Sequence, residues 1–247
     1  MERLKIGFEL IEGAKAPLYI KWQNQNMWLL TAPSGSGKSI LMLYLLNSLI
    51  DILGADSIWI ADFKSSGTYD GITTHYADGS DVLALFNDYY DHYLDIKDRR
   101  IKDNCVFIFE EQAGFTNWLN AQDKKQAQEL KDKISVLMMT GRSLKGGSCG
   151  IITVLQRADA TNFSNGAREN YMVKILLGSP SSESKTMLGF YKEDIPADFV
   201  GGIGKGLVMS DDCNHIKSFQ VPYIEEDKLK NMLIKKAQKS RSTPQRA

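Results

Sequence analysis

Eight residues near the start of the chain, Ala32-Pro33-Ser34-Gly35-Ser36-Gly37-Lys38-Ser39, have the types and spacing of a phosphate-binding loop. The pattern is G-x-x-x-x-G-K-[ST], with alanine in the first position. Its physics is direct: Gly35 and Gly37 let the backbone curl so that successive N–H groups face phosphate oxygens, and a following helix adds the positive end of its dipole. The cradle would comprise Pro33, Ser34, Gly35, Ser36, Gly37, Lys38, Ser39 and Ile40. Lys38 would reach the β- and γ-phosphates of a nucleoside triphosphate such as ATP, and the Ser39 hydroxyl would hold Mg²⁺. A flexible Gly/Ser turn could meet the pattern by chance. It would not be flanked by an apolar strand (Met27-Trp28-Leu29-Leu30-Thr31) and an apolar helix opening (Ile40-Leu41-Met42-Leu43-Tyr44-Leu45-Leu46), the context the motif requires.

A second group of chemical residues follows another apolar run. Val106-Phe107-Ile108-Phe109 leads into Glu110-Glu111, which reads as a Walker B element with Glu110 where Asp is usual. Glu110 would belong to the Mg²⁺ shell, and Glu111 would orient and polarise an attacking water. A surface pair of acids at a strand end is the plainer alternative. A further strand, Ile151 to Leu155, ends in Gln156-Arg157, and Gln156 could hydrogen-bond phosphate or the lytic water; a solvent-facing glutamine is equally compatible. The paired acids favour hydrolysis over phosphoryl transfer to a small molecule. Neither an acceptor lid nor a guanine-reading N-K-x-D is recognisable.

These residues need a scaffold that brings distant segments to one edge. Short alternating runs at Ile6–Leu10 and Leu18–Trp22, separated by Gly13 and Pro17, predict a small antiparallel lead-in. Strands are predicted at Ser57–Asp62, Cys105–Phe109, Ile151–Leu155 and Tyr171–Leu177. Helices are predicted at Asp81–Arg100, where apolar residues recur at helical spacing, and from about Ala121 to Leu144. Gly206–Met209 and Ile216–Val221 read as a closing hairpin around Asp211-Asp212. Alternating strands and helices imply an α/β fold, a mainly parallel sheet flanked by helices. We expect one motor-sized domain over residues 1–225 and a basic C-terminal helix or tail, partly disordered, over 226–247.

The ordered set of segments resembles the motor domain of the FtsK/HerA group of DNA-pumping ATPases, over roughly residues 5–222. After the phosphate loop come Ala61-Asp62-Phe63-Lys64, Phe109-Glu110-Glu111, Thr140-Gly141-Arg142-Ser143 with Cys149-Gly150-Ile151-Ile152, and Leu155-Gln156-Arg157. Ser181–Gly189 and Gly204–Met209 complete it. Leu155 and Ala158 stand where the family has Thr and Pro. The resemblance implies a RecA-like core assembled as a ring, a hexamer in the usual case, with ATP between subunits and double-stranded DNA in the pore. It implies a cation supplied by the neighbouring subunit, for which Arg142 is the first candidate and Lys185 the second, although an Arg at a helix end also serves as a dipole charge. Arg157, Arg168 and Lys145 are candidates for sequence-independent, salt-sensitive phosphate contacts. The membrane helices, added domain and winged-helix reader of the segregation pumps find no counterpart here. A motor core of this kind suits conjugative or mobile-element transfer, segregation or packaging, with another protein supplying DNA choice or membrane attachment.

Composition bounds these readings without deciding among them. The chain has 247 residues, 43% hydrophobic and 24% charged, with 30 basic and 30 acidic residues; balanced charge argues neither for nor against a polyanionic partner. The basic residues gather late: from Lys228 to Arg246 there is no acid, a segment that could touch nucleic acid or an anionic membrane surface, or simply be solvated. Cys105, Cys149 and Cys213 are far apart and form no C-x-x-C pair, so the sequence suggests neither a zinc site nor a disulfide framework, and a reducing cytoplasm fits. No apolar run reaches the about 18 residues of a membrane helix, so any membrane contact would be peripheral. A protein-secretion ATPase and a nucleotide-gated assembly protein are the competing functions.

Overall fold

A computed structural model describes residues 2–11, 14–158, 167–211 and 215–242. Its framework is a ten-stranded sheet. The strands are β1 (Arg3–Ile11), β2 (Ala14–Lys21), β3 (Met27–Thr31), β4 (Ile58–Asp62), β5 (His75–Asp78), β6 (Asp103–Glu110), β7 (Gly147–Leu155), β8 (Val173–Gly178), β9 (Gly202–Ser210) and β10 (Lys217–Gln220). The order across the sheet is β2-β1-β10-β9-β8-β3-β7-β6-β4-β5. From β8 to β5 every neighbouring pair is parallel, whereas β9, β10, β1 and β2 extend the β8 side in antiparallel fashion.

The central strands β3, β4 and β6 read as near-continuous apolar runs because helices cover both sheet faces. Side chains alternate between the faces. Val106 and Ile108 of β6 join Trp28, Leu30, Ile152 and Val154 under α1 (Lys38–Leu53) and α6 (Glu226–Ser242). Phe107 and Phe109 join Met27, Leu29 and Ile151 under α2 (Val82–Lys97), α3 (Gln112–Gln122) and α4 (Lys124–Thr140). The short α5 (Ser182–Met187) follows β8.

Two differences from the sequence expectation have local causes. The single helix expected over 121–144 is α3 followed by α4. Asp123 separates them in extended conformation and accepts hydrogen bonds from the N–H groups of Lys125 (2.8 Å) and Gln126 (3.1 Å). α4 then stops at Thr140, and the Gly141 carbonyl accepts from the Cys149 N–H of β7 (2.8 Å), so close to that strand that a Cβ at Gly141 would sit 2.5 Å from the Cys149 carbonyl oxygen. The basic segment after residue 225 is a helix as far as Ser242 and buries Leu229, Leu233 and Ala237 against α1, making it part of the same core. Its cations are partly spent at home: Lys236 Nζ lies 2.6 Å from Asp51, and Arg241 Nε 3.0 Å from Asp56. Residues 243–247 and the hairpin tip at 212–214, with Asp212 and Cys213, lie outside the described residues.

Candidate functional site

The parallel strands all finish at one edge. β3 runs into the phosphate loop, β4 ends in Asp62, β6 in Glu110, β7 leads to Gln156, and β8 ends in Gly178. Alternation decides the rest. Glu110 and Gln156 continue the face carrying Val106/Ile108 and Ile152/Val154, the face on which α1 lies. Asp62, paired in register with Glu110, follows Ile58 and Ile60 on that same face.

The loop has the backbone its sequence implies. Gly35 (φ 74°) and Gly37 (φ 92°) are left-handed, and the Ser36 hydroxyl turns back to donate to the Pro33 carbonyl (2.6 Å). α1 then begins at Lys38 with no side-chain cap and no acid in its first turn, so its leading N–H groups face outward unneutralised. The loop is also buttressed from β9: Gly204 N–H donates to the Ser36 carbonyl at 2.9 Å.

Lys38 brings the two sequence motifs together. Its Nζ lies 2.7 Å from Glu110 Oε1 and 2.9 Å from Glu111 Oε1. Glu111 also receives Lys64 Nζ at 2.9 Å. The Tyr69 hydroxyl donates to Glu110 Oε2 at 3.3 Å. Burial pushes the Glu110 carboxyl above its ordinary value despite Lys38. Burial pushes Glu111 the same way, but Lys64, Lys38 and Gln156 together outweigh it and hold that carboxyl below the usual range. Desolvation opposes the charge on Lys38, yet the two carboxylates win and its pKa rises. Glu111 is left-handed (φ 58°), an uncommon state for a non-glycine residue, and it forms the turn from β6 into α3.

The residues fit a nucleoside triphosphate with a divalent cation. A bare helix N-terminus and a cationic side chain suit phosphate. A buried carboxylate pair beside the Ser39 position is the oxygen donor set that Mg²⁺ prefers. Asp62 adds a donor: its Oδ2 is held by Ser66 N–H (2.8 Å) and Ser66 Oγ (2.6 Å), while its fully buried Oδ1 has no hydrogen-bond partner.

Lys38, Glu110, Glu111, Gln156 and the loop residues Pro33 to Ile40 thus share one edge. Arg142 does not join them. It is exposed at the opposite edge, in a cavity with Asn26, Asn104 and Ser148, where β3, β6 and β7 begin. Lys185 follows β8 on α5. The cations considered for DNA phosphate are not gathered either: Lys145 precedes β7, Arg157 follows it, and Arg168 Nη1 contacts Met187 Sδ at 2.8 Å. Reasoning from sequence assigned no role to Asp62, Lys64 or Tyr69. The first two lie in the Ala61-Asp62-Phe63-Lys64 segment, whose polar pair at the end of an apolar strand was the available signal; Tyr69 offered none.

No family model matches the chain, and no curated protein matches it in sequence. Solved structures share its fold. ATPases 2 and 3 of EssC from Geobacillus thermodenitrificans superpose with a TM-score of 0.70 at 13% identity, over 98% of this chain and 49% of that one. The pCW3 conjugation coupling protein TcpA, in its monomer form with ATPγS, gives 0.68 at 17% identity over 95% and 70%. The cytoplasmic domain of the type VII secretion ATPase EccC from Thermomonospora curvata gives 0.66 at 17% identity over 96% and 31%. The chain therefore spans about half the length of the EssC structure and under a third of the EccC structure. It has a RecA-like P-loop ATPase fold, with phosphate loop and paired carboxylates meeting at the carboxyl edge of the sheet.

Proposed function

We propose that the chain hydrolyses ATP at this edge and uses the turnover to drive double-stranded DNA through a ring of identical subunits, a hexamer by resemblance. The convergence of Lys38 on Glu110 and Glu111 within 2.9 Å carries the reading. The loop's N–H groups and Lys38 would bind the β- and γ-phosphates. Ser39 and Glu110 would hold Mg²⁺, which when bound neutralises charge developing on the phosphates. A triphosphate competes with the carboxylates for Lys38. As Lys38 turns to phosphate, Glu111 loses one of the cations that depress its basicity and becomes a better acceptor for the proton of an attacking water. Gln156, on the same edge as Glu111, would hydrogen-bond the γ-phosphate or the lytic water.

Arg142 would act only on a neighbour's nucleotide. Its place at the far edge prevents it from reaching its own subunit's site and is compatible with a contact across a ring interface. Lys185 is the alternative.

A second reading, an ATPase that powers protein export, draws support from the balanced charge and from the pairing of Lys236 and Arg241 with acids of the same chain. The EccC structure, by name a secretion ATPase, has the same fold. An ATPase assay with and without long duplex DNA, at low and high salt, separates the two. Stimulation by DNA that fades with salt supports the translocase; equal rates in all four conditions reject it in favour of export or assembly. Hydrolysis by Glu111→Gln at the unmutated rate, with activity lost in Lys38→Ala, would reject the assigned water-activating role.

A further inference from the structure

At the opposite edge of the sheet the fold gathers a second set of chemical side chains that the nucleotide site does not use. Asp103 and Cys105 are two residues apart at the start of β6 and so project to the same face, the face covered by α2. Cys149 of β7 is in register with Cys105, and the two sulfurs are 3.5 Å apart. The residue of β7 facing Asp103 is Gly147, which leaves that flank without a side chain. His92, near the end of α2, closes over the group with Nε2 2.9 Å from Asp103 Oδ2. His92 Nε2, Asp103 Oδ2 and Cys105 Sγ all lie within 4.8 Å of one another.

We propose that His92, Asp103 and Cys105 form a three-ligand zinc site that fastens α2 to strand β6, with Cys149 packed beside Cys105 on β7. One nitrogen, one oxygen and one sulfur are donors that Zn²⁺ takes, and a water completes the tetrahedron in such three-ligand sites. A nitrogen and an oxygen at about 2.0–2.1 Å from the metal stand about 3.3 Å apart. The His92–Asp103 contact must therefore open by a few tenths of an ångström, which a side-chain rotation of His92 supplies.

The outer shell is in place as well. Ser57 Oγ donates to Asp103 Oδ1 at 3.1 Å, fixing the carboxylate so that Oδ2 faces His92. The Tyr89 hydroxyl, anchored on the Gly150 carbonyl at 2.7 Å, lies 3.7 Å from Cys105 Sγ. Access exists from one side only: the side chains of His92 and Asp103 are each 26% exposed, while both cysteines are buried. The site is remote from the phosphate edge. Asp103 and Glu110 are the two ends of β6, about 23 Å apart at about 3.3 Å per residue. Sequence spacing conceals the set, because His92 on α2 meets Asp103 and Cys105 only where that helix packs on β6.

The test uses the full chain, stripped of metal by a chelator and titrated with Zn²⁺ against a chromophoric competitor, then with Co²⁺ as an optical probe. One equivalent of Zn²⁺ should bind, raising the unfolding temperature. Co²⁺ should give a sulfur-to-cobalt charge-transfer band that Zn²⁺ displaces. Cys105→Ser should lose the band, whereas Cys149→Ala and Lys38→Ala should keep it. Absence of the band from the unmutated protein, which needs no variant to fold, overturns the proposal. So does an unaltered band in Cys105→Ser.

Discussion

Substituting Gly178 by Ala measures how far the phosphate loop depends on the strand corner beneath it. Gly178 ends β8 with φ +84°, and a Cβ there would lie 2.6 Å from the Ser36 Cβ. Ser36 cannot step aside alone, because its N–H and hydroxyl both bond the Pro33 carbonyl while its own carbonyl accepts from Gly204. The left-handed backbone costs an alanine about 1–2 kcal/mol. Forcing a methyl group against packed atoms costs about 1–3 kcal/mol more. Strain relieved by moving the loop reappears as lost affinity, and 1–3 kcal/mol corresponds to about a 5- to 150-fold rise in Kd for ATP. Gly189→Ala is the control: φ is +83°, but the nearest atom, Met209 Cε, is 3.6 Å from the added carbon. It should lower the unfolding temperature by about 2–8 °C, the equivalent of the backbone term alone, and leave Kd unchanged. Titration with a fluorescent ATP analogue and thermal unfolding of both variants give the comparison. If Gly178→Ala and Gly189→Ala bind nucleotide equally well, the contact with Ser36 does not position the loop.

Glu111→Gln should bind ATP but lower kcat by about 10²- to 10⁴-fold, the usual contribution of a general base, whereas Lys38→Ala should lose binding itself; equilibrium titration beside steady-state hydrolysis distinguishes them. Leu233→Ala should cost about 2–5 kcal/mol in urea unfolding, because Leu233 is fully buried between α6 and the core; a loss below about 1 kcal/mol would mean that α6 is outside the cooperative unit. The N–H of Gln126 and the other bonds at the start of α4 hold the Asp123 carboxyl below its ordinary value. A depressed folded-state pKa gives stability that is present above about pH 3.9, the unfolded value, and lost as pH falls through the folded one. Asp123→Ala should flatten that acid limb of the stability profile, and an unchanged slope would count against the cap.

What was legible in the sequence was whatever rests on local pattern. The loop from Ala32 to Ser39 and the apolar β3, β4 and β6 carry their own signals, because strands covered on both faces show as unbroken apolar runs. The hairpin lead-in and the closing β9–β10 pair followed from alternation. The four-residue β5 at the sheet rim has partly exposed residues and no run to read. The break between α3 and α4 turned on one aspartate whose capping role appears only with its hydrogen bonds. In the site, Lys38, Glu110 and Glu111 were nameable because their motifs are contiguous. Tyr69 reaches Glu110 across 41 positions, and no spacing announces such a contact. The basic stretch after Lys228 looked solvated in isolation, since nothing in it reveals that Asp51 and Asp56 wait on other elements.

The bond from Gly204 to Ser36 does more than steady a turn. It fastens the loop to β9, and through β10 and β1 to the rim strand β2, along a path that narrows to one residue pair, Phe8 with Gln220, between β1 and β10. A displacement of the rim strand would reach the loop only through that single pair, which makes Phe8 and Gln220 the narrowest joint between the lead-in hairpin and the phosphate loop.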